Sequence, residues 1–153
     1  MIKRVLLVID MQEHYMSKYN REDLIDKINE RIRQATTDED LIVFIKNRGK
    51  LRGESKCYEL ADGMCVPKSF SFIKDHPSAF TNEEFKHLLK ERDIETITIV
   101  GIDGSCCVAY TAIDAVAEGY MVSISLKCVG SRNQKTLEKQ IRKMEEAGVL
   151  IER

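Results

Sequence analysis

The stretch TITIVGIDGSCCVAYTAIDAVAEG, residues 96–119, holds three structural units in succession. Thr96 to Val100 is a β-branched apolar run, the pattern of a strand covered on both faces. Gly101 to Ser105 reads as a turn. Cys107 to Glu118 is a helix of mostly small apolar residues, stopped by Gly119. A strand feeding a buried helix through a short turn is the repeating unit of an α/β fold.

The same alternation extends in both directions. Val5 to Ile9 and Leu41 to Ile45 are continuous apolar runs and predict buried strands, and Ser69 to Ile73 alternates as a shorter one. Between the first two, Asn20 caps a helix whose Leu24, Ile25, Ile28, Ile32 and Ala35 follow helical spacing. Thr81-Asn82-Glu83-Glu84 is a capping box that opens a helix to about Arg92. Tyr120 to Leu126 predicts another strand. Ser131 to Gln134 caps a last helix carrying Leu137, Ile141, Met144 and Ala147, closed by Gly148, and Val149 to Ile151 is a terminal strand. Lys46 to Met64 is polar, aperiodic and carries three glycines, as a long binding-site loop does. The expectation is one three-layer α/β domain over residues 1–153, with a mostly parallel sheet and helices on both faces.

Composition narrows the function classes. The 153 residues are 43% hydrophobic and 32% charged, with 24 Lys and Arg against 25 Asp and Glu. Such a balance, with no long block of one sign, argues against a nucleic-acid or membrane-surface partner held by bulk charge. No apolar run approaches the roughly 20 residues that span a bilayer. The opening MIKRVLLVID has the outline of a signal peptide, but its apolar run is short, Asp10 closes it and no cleavage site follows. Five cysteines, an odd number without Cys-x-x-Cys spacing, point to a reducing, cytoplasmic setting and not to a disulfide framework. The three histidines, His14, His76 and His87, stand far apart, so a structural zinc site is not expected.

Ligands of parallel α/β sheets gather beyond the carboxyl ends of the strands. Those ends deliver Asp10, Lys74 and, through the Gly101–Ser105 turn, Cys107. Taken singly, each has an ordinary role: a turn carboxylate, a solvated amine, a small core thiol. Taken together they make a reaction centre. A helix N-terminus and an ammonium would lower the thiol pKa, and a carboxylate could take the thiol proton and return it to a leaving amine. The turn would aim backbone N–H groups at a developing oxyanion. Cys106 competes with Cys107, but successive helical residues point about 100° apart, so only one is expected to face the cleft.

The segments VLLVIDMQ (5–12), IKDHPSAF (73–80) and VGIDGSCCVAYTAIDA (100–115) resemble those of the isochorismatase-like cysteine hydrolases, which include nicotinamidases. The resemblance implies a six-stranded parallel Rossmann-like sheet and a catalytic triad. In it Cys107 is the nucleophile, Asp10 the proton-handling carboxylate and Lys74 the lysine. Lys68 competes for the last role but stands too far from Ser78-Ala79-Phe80. The resemblance also implies oxyanion donors at the backbone N–H of Asp103 and Cys107, a cis peptide between Ile102 and Asp103, and homo-oligomeric assembly. Tyr15, Phe80, Ile102, Asp103 and Tyr110 are the candidate substrate-binding residues, with His14 and His76 near the same edge. Two departures stand out. Gly104 replaces the usual turn threonine, which brings the stiffness of the oxyanion turn into question. No histidine falls between His14 and His76, which disfavours a metal-dependent nicotinamidase.

The resulting expectation is a metal-independent, cofactor-free amidase that cleaves a C–N bond of a small molecule through a Cys107 thioester. An inactive binding or assembly module with the same fold is its competitor, and thiol redox chemistry by Cys106 and Cys107 a weaker third.

Overall fold

The computed structural model describes residues 3–48 and 58–153. Six strands, β1 (Arg4–Ile9), β2 (Leu41–Asn47), β3 (Phe70–Lys74), β4 (Thr96–Ile102), β5 (Met121–Gly130) and β6 (Leu150–Glu152), form one sheet in the order β3-β2-β1-β4-β5-β6. Every pairing is parallel. Parallel neighbours need crossovers, and α1 (Arg21–Thr37), α2 (Glu83–Glu91), α3 (Cys107–Ala117) and α4 (Gln134–Ala147) lie on them.

The central strand divides its side chains between two cores, as a period of two requires. Val5, Leu7 and Ile9 pack with Phe85 and Leu89 of α2, Val108 and Ala112 of α3, and Ile141 and Met144 of α4. Leu6 and Val8 pack with Leu24, Ile25, Ile28 and Ile32 of α1. Three helices cover one face and one covers the other. Burial of each such aliphatic side chain contributes roughly 1.5–3 kcal/mol. Among the described residues no helix is long and apolar enough to cross a membrane.

The chain leaves β1 toward β2 on one side, while β4 lies on the other. The crevice beyond the carboxyl ends of β1 and β4 is therefore the topological switch point, where such sheets bind ligands. Gly101 makes this crevice narrow. At φ +121° its absent Cβ would sit 2.2 Å from the Ile9 carbonyl oxygen, so β4 approaches β1 only because residue 101 is glycine.

Several element ends differ from expectation. Asn82, and not Thr81, caps α2 by accepting the Phe85 N–H, because Thr81 ends a 3₁₀ turn over Ala79–Thr81. Asn20 stands at the start of α1 without a side-chain cap bond. In the last crossover Asn133 is the cap, accepting the Thr136 N–H. β4 and β5 both run further than the apolar pattern alone indicates. Between Ile99 and Gly101 the register shifts, so that Gly101 faces Val129 although Ile99 faces Ile124. That bulge carries Lys127–Gly130 into β5 and leaves only residues 131–133 as connection. Of the expected 46–64 loop, residues 49–57, Cys57 included, lie outside the described residues. Its far end is fastened to the body, since the Ala61 N–H donates to Met11 and the Asn29 amide bonds both Gly63 and Cys65.

Candidate active site

Three strand ends bring the sequence-selected trio together. Asp10 directly follows β1 with φ +54°, in the left-handed region that Asp tolerates better than most residues. Its N–H donates to the Ile45 carbonyl, which fixes the turn beside β2. Lys74 is the last residue of β3 and Cys107 the first of α3. All three are buried, at 3%, 2% and 8% exposure, so their charges act in a poorly hydrated place. The Lys74 ammonium donates to Asp10 Oδ2 at 3.2 Å and to Cys107 Sγ at 3.3 Å. Lys68 is elsewhere, in a separate hollow with Lys3, Leu41 and Phe70.

The electrostatics differ from the expectation of a thiol lowered by its helix terminus and lysine. Burial, followed by the Asp10 charge, pushes the Cys107 thiol up, and the opposing pull of Lys74 is smaller than the two together. Burial also raises the Asp10 carboxyl, against the attraction of Lys74 and the influence of Cys107 and Asn47. Among the described residues Asp10 Oδ1 is buried with no hydrogen bond on it. The resting arrangement is thus a protonated thiol beside a carboxylate of raised proton affinity. That suits transfer of the proton during reaction better than a standing thiolate.

The turn after β4 supplies the second half of the site. The Ile102–Asp103 peptide is cis, at the bond the resemblance indicated. Among the described residues neither the Asp103 N–H nor the Cys107 N–H has a hydrogen-bond acceptor, which leaves both available to an oxyanion. The Asp103 side chain is in the opposite condition. It accepts hydrogen bonds from Tyr19 Oη, the Ser105 N–H and Oγ, Ser131 Oγ and the Arg132 N–H. Burial raises its pKa, but these bonds outweigh it and hold the carboxyl below its ordinary value.

Gly104 does not loosen this turn. Its N–H donates to the Gly130 carbonyl at 2.9 Å. A Cβ there would lie 2.7 Å from both Leu137 Cδ1 and Val129 Cγ1, so α4 and β5 occupy the space a side chain would take.

A cavity of about 420 Å³ opens above the trio. Tyr15, Ile102 and Asp103, three of the sequence-selected substrate residues, line it beside Asp10 and Cys107, and Lys74 lies beneath. Phe80 and Tyr110 do not. Phe80 is in the core, edge-on to Phe85 and tilted against Tyr120, and Tyr110 faces solvent at 50% exposure. The spacing of α3 explains Tyr110, which falls on the face opposite Val108 and Thr111. His14 is on the cavity wall, whereas His76 borders a different hollow with Arg48 and Asp75. Both Cys106 and Cys107 border the cavity, contrary to the one-face expectation, because Cys106 precedes the helix with non-helical backbone (φ −135°, ψ −95°). Tyr19, Asn47 and Arg132 are lining residues that the sequence left unselected. Asn47 had a signal, since it ends β2 at the same sheet edge and trades two hydrogen bonds with Gln12. Tyr19 and Arg132 lie on irregular connections and had none.

The family model for the isochorismatase domain matches residues 4–152. The chain belongs to the isochorismatase family. This isochorismatase-family chain is 34% identical over 80 residues to the uncharacterized isochorismatase family protein YaaI of Bacillus subtilis, a match covering 52% of this chain and 44% of that protein. It thus spans less than half of that relative's length. Isochorismatase family protein 1A of Dictyostelium discoideum is 26% identical over 151 residues, covering 96% of this chain and 72% of that one. Among solved structures, the nicotinamidase of Staphylococcus aureus superposes with TM-score 0.82 at 27% identity, covering 100% of this chain and 99% of that chain. The pyrazinamidase of Pyrococcus horikoshii, solved in complex with zinc, superposes with TM-score 0.88 at 21% identity over 97% and 98% of the two chains. Among the described residues of this chain no three His, Cys, Asp or Glu side chains are grouped as a metal ion needs, and His14 is the histidine that reaches the cavity.

Proposed function

We propose that this chain is a cysteine hydrolase that cleaves the C–N bond of a small amide through a Cys107 thioester, with Asp10 and Lys74 and without a metal ion. The observation that carries the reading is one buried ammonium hydrogen-bonded to both the Asp10 carboxylate, 3.2 Å, and the Cys107 sulfur, 3.3 Å. In this reading Asp10 takes the thiol proton as sulfur attacks the amide carbon, and the carbonyl oxygen turns to the Asp103 and Cys107 N–H groups. Asp10 returns the proton to the departing nitrogen, leaving an acyl-sulfur bond. Asp10 then draws a proton from water, whose oxygen attacks the thioester, and passes it to the Cys107 sulfur as the C–S bond breaks and the acid leaves. Lys74 keeps its charge throughout and offsets the negative charge that moves between oxygen and sulfur. Structural neighbours described as nicotinamidases favour an amide substrate. Tyr15 and Ile102 offer apolar walls for a small planar one.

A panel of small carboxamides, assayed with wild type and Cys107→Ala in buffer containing a chelator, tests this. Wild type is expected to release ammonia with the chelator present, and Cys107→Ala to lose about 10³-fold or more. Turnover that survives Cys107→Ala removes the thioester, and turnover that needs added zinc removes the metal-free route. The competing reading, an inactive module, leans on Gly104 and on the shortness of the chain's loops, and wild type that turns over no carboxamide would favour it.

A further inference from the structure

Asp103 occupies two places in the site at once. The residue lines the cavity and its backbone N–H has no acceptor among the described residues, while its carboxylate is tied to three segments: Tyr19 at the entrance to α1, Ser105 in its own turn, and Ser131 and Arg132 between β5 and α4. The donors approach closely, at 2.6 Å for Ser105 Oγ and 2.9 Å for Tyr19 Oη and the Ser105 N–H. The Ser131 hydroxyl and Arg132 N–H stand at 3.3 and 3.1 Å. A side chain so engaged has no capacity left to move protons, and the residue is 8% exposed. What it fixes is the plane of its own peptide.

We propose that the Asp103 carboxylate is a positioning residue, which sets the direction of the Asp103 and Cys107 N–H groups by anchoring the turn to Tyr19, Ser105, Ser131 and Arg132. The inference rests on the proposed cysteine hydrolase and concerns how that site holds charge. At Gly104 the space of a side chain is taken by Leu137 and Val129, and the Gly104 N–H donates to the Gly130 carbonyl, so apolar packing and one backbone bond hold that residue. The carboxylate is therefore the polar tie that crosses from the turn to the rest of the cavity wall. Backbone donors aimed in advance are worth most when nothing must reorganise as charge develops. With Asn at 103, a carboxamide nitrogen would meet donors instead of acceptors on one side. The turn could then rotate its peptide without unfolding.

Two probes separate aim from general damage. Iodoacetamide alkylates Cys107 by displacement at carbon and forms no oxyanion, so its rate reads the nucleophile alone. A small aromatic aldehyde, pyridine-3-carbaldehyde, adds the thiol across its carbonyl. A C–S bond forms, the π pair moves to oxygen, and the thiol proton follows through Asp10, giving a hemithioacetal whose oxygen lies where the amide's would. For Asp103→Asn the alkylation rate of Cys107, followed by peptide mass mapping, is expected to stay within about twofold. The aldehyde dissociation constant is expected to rise about tenfold or more, since losing one well-aimed donor costs on the order of 10²-fold in turnover. Tyr19→Phe removes a single tie, is safer for folding, and should give the same split at smaller size.

Aldehyde affinity unchanged in both variants overturns the positioning role. An equal fall in alkylation and aldehyde binding overturns it too, because the carboxylate would then be ordinary scaffold. A wild-type Cys107 that alkylates no faster than Cys128 and forms no adduct removes the hydrolase reading itself, and this inference with it.

Discussion

Asp10 and Asp103 are two buried carboxylates on either side of one thiol, and they are held in opposite states. Asp10 accepts a hydrogen bond from the Lys74 ammonium, has Oδ1 without a partner among the described residues, and is raised above its ordinary pKa by burial. Asp103 is also penalised by burial, yet its five hydrogen bonds hold it below the ordinary value. In the proposed mechanism the same side chain is a proton acceptor in one place and a fixed anion in the other. At Asp10 burial outweighs the stabilising contacts, and at Asp103 the hydrogen bonds outweigh burial. Removing a proton acceptor abolishes chemistry, whereas loosening a fixed anion only degrades aim.

The largest effect expected from this contrast is on turnover by Asp10→Asn. The shape is kept and the proton acceptor is lost, so kcat/KM should fall about 10²–10⁴-fold on whichever amide wild type turns over. The wild-type pH profile belongs to the same prediction. Asp10 acts as a base only when ionised, and its folded pKa is raised, so the acid limb should lie above the 3.8 of an ordinary aspartate. The stability signs oppose each other. Asp10, raised, favours the folded state below its unfolded pKa and loses that contribution as pH rises through the folded value. Asp103, lowered from 3.8, contributes above its unfolded pKa and loses the contribution as pH falls through the folded one. An acid limb at or below the ordinary aspartate value would remove Asp10 as the base.

Asp10 was legible in the sequence because it ends a run of five apolar residues, and a carboxylate there must sit at the sheet edge. Lys74 and Cys107 stand at strand ends by the same rule, but their preference over Lys68 and Cys106 came from the family resemblance, and right-handed crossovers narrow the sheet orders without fixing one. The role of the Asp103 side chain was not legible. Its partners Tyr19, Ser131 and Arg132 lie 28 to 84 positions away on irregular chain, where no periodicity announces a direction. Tyr110 and Phe80 failed for a related reason. Position near a motif does not fix which way a side chain turns, and the core took Phe80 because Phe85 and Tyr120 offered it an aromatic pocket. Residue 104 was misjudged by chemistry alone. Its lack of a side chain looked like a missing brace until Leu137 and Val129 were seen to fill the space.

That packing gives the second prediction, of intermediate size. Gly104→Thr would place a Cβ 2.7 Å from both Leu137 Cδ1 and Val129 Cγ1. Overpacking of this kind costs typically 1–3 kcal/mol, so thermal unfolding should move down by several degrees for a domain of this size. The same variant should weaken aldehyde binding, because the shifted turn carries the Asp103 N–H with it. A Gly104→Thr protein of unchanged stability and affinity would mean that the turn yields easily. The contrast between a fixed and a mobile carboxylate would then lose its structural basis.

The smallest effect concerns Arg132, a charged side chain that pairs with Asp103. Arg132 Nε stands 3.5 Å from Asp103 Oδ2, but the Arg132 side chain is 56% exposed. Pairs at such exposure are worth about 0–1 kcal/mol, since water screens them and the long side chain must be ordered. The Arg132 backbone N–H bond to the same oxygen, 3.1 Å, survives truncation to alanine. Arg132→Ala should therefore change stability by less than about 1 kcal/mol, with Cys107 alkylation unaltered. A larger loss, screened away by added salt, would show that Asp103 is held by a counter-charge and not by donors. It would then resemble Asp10, whose partner Lys74 is also a cation, and the two carboxylates would differ only in the depth of that partner.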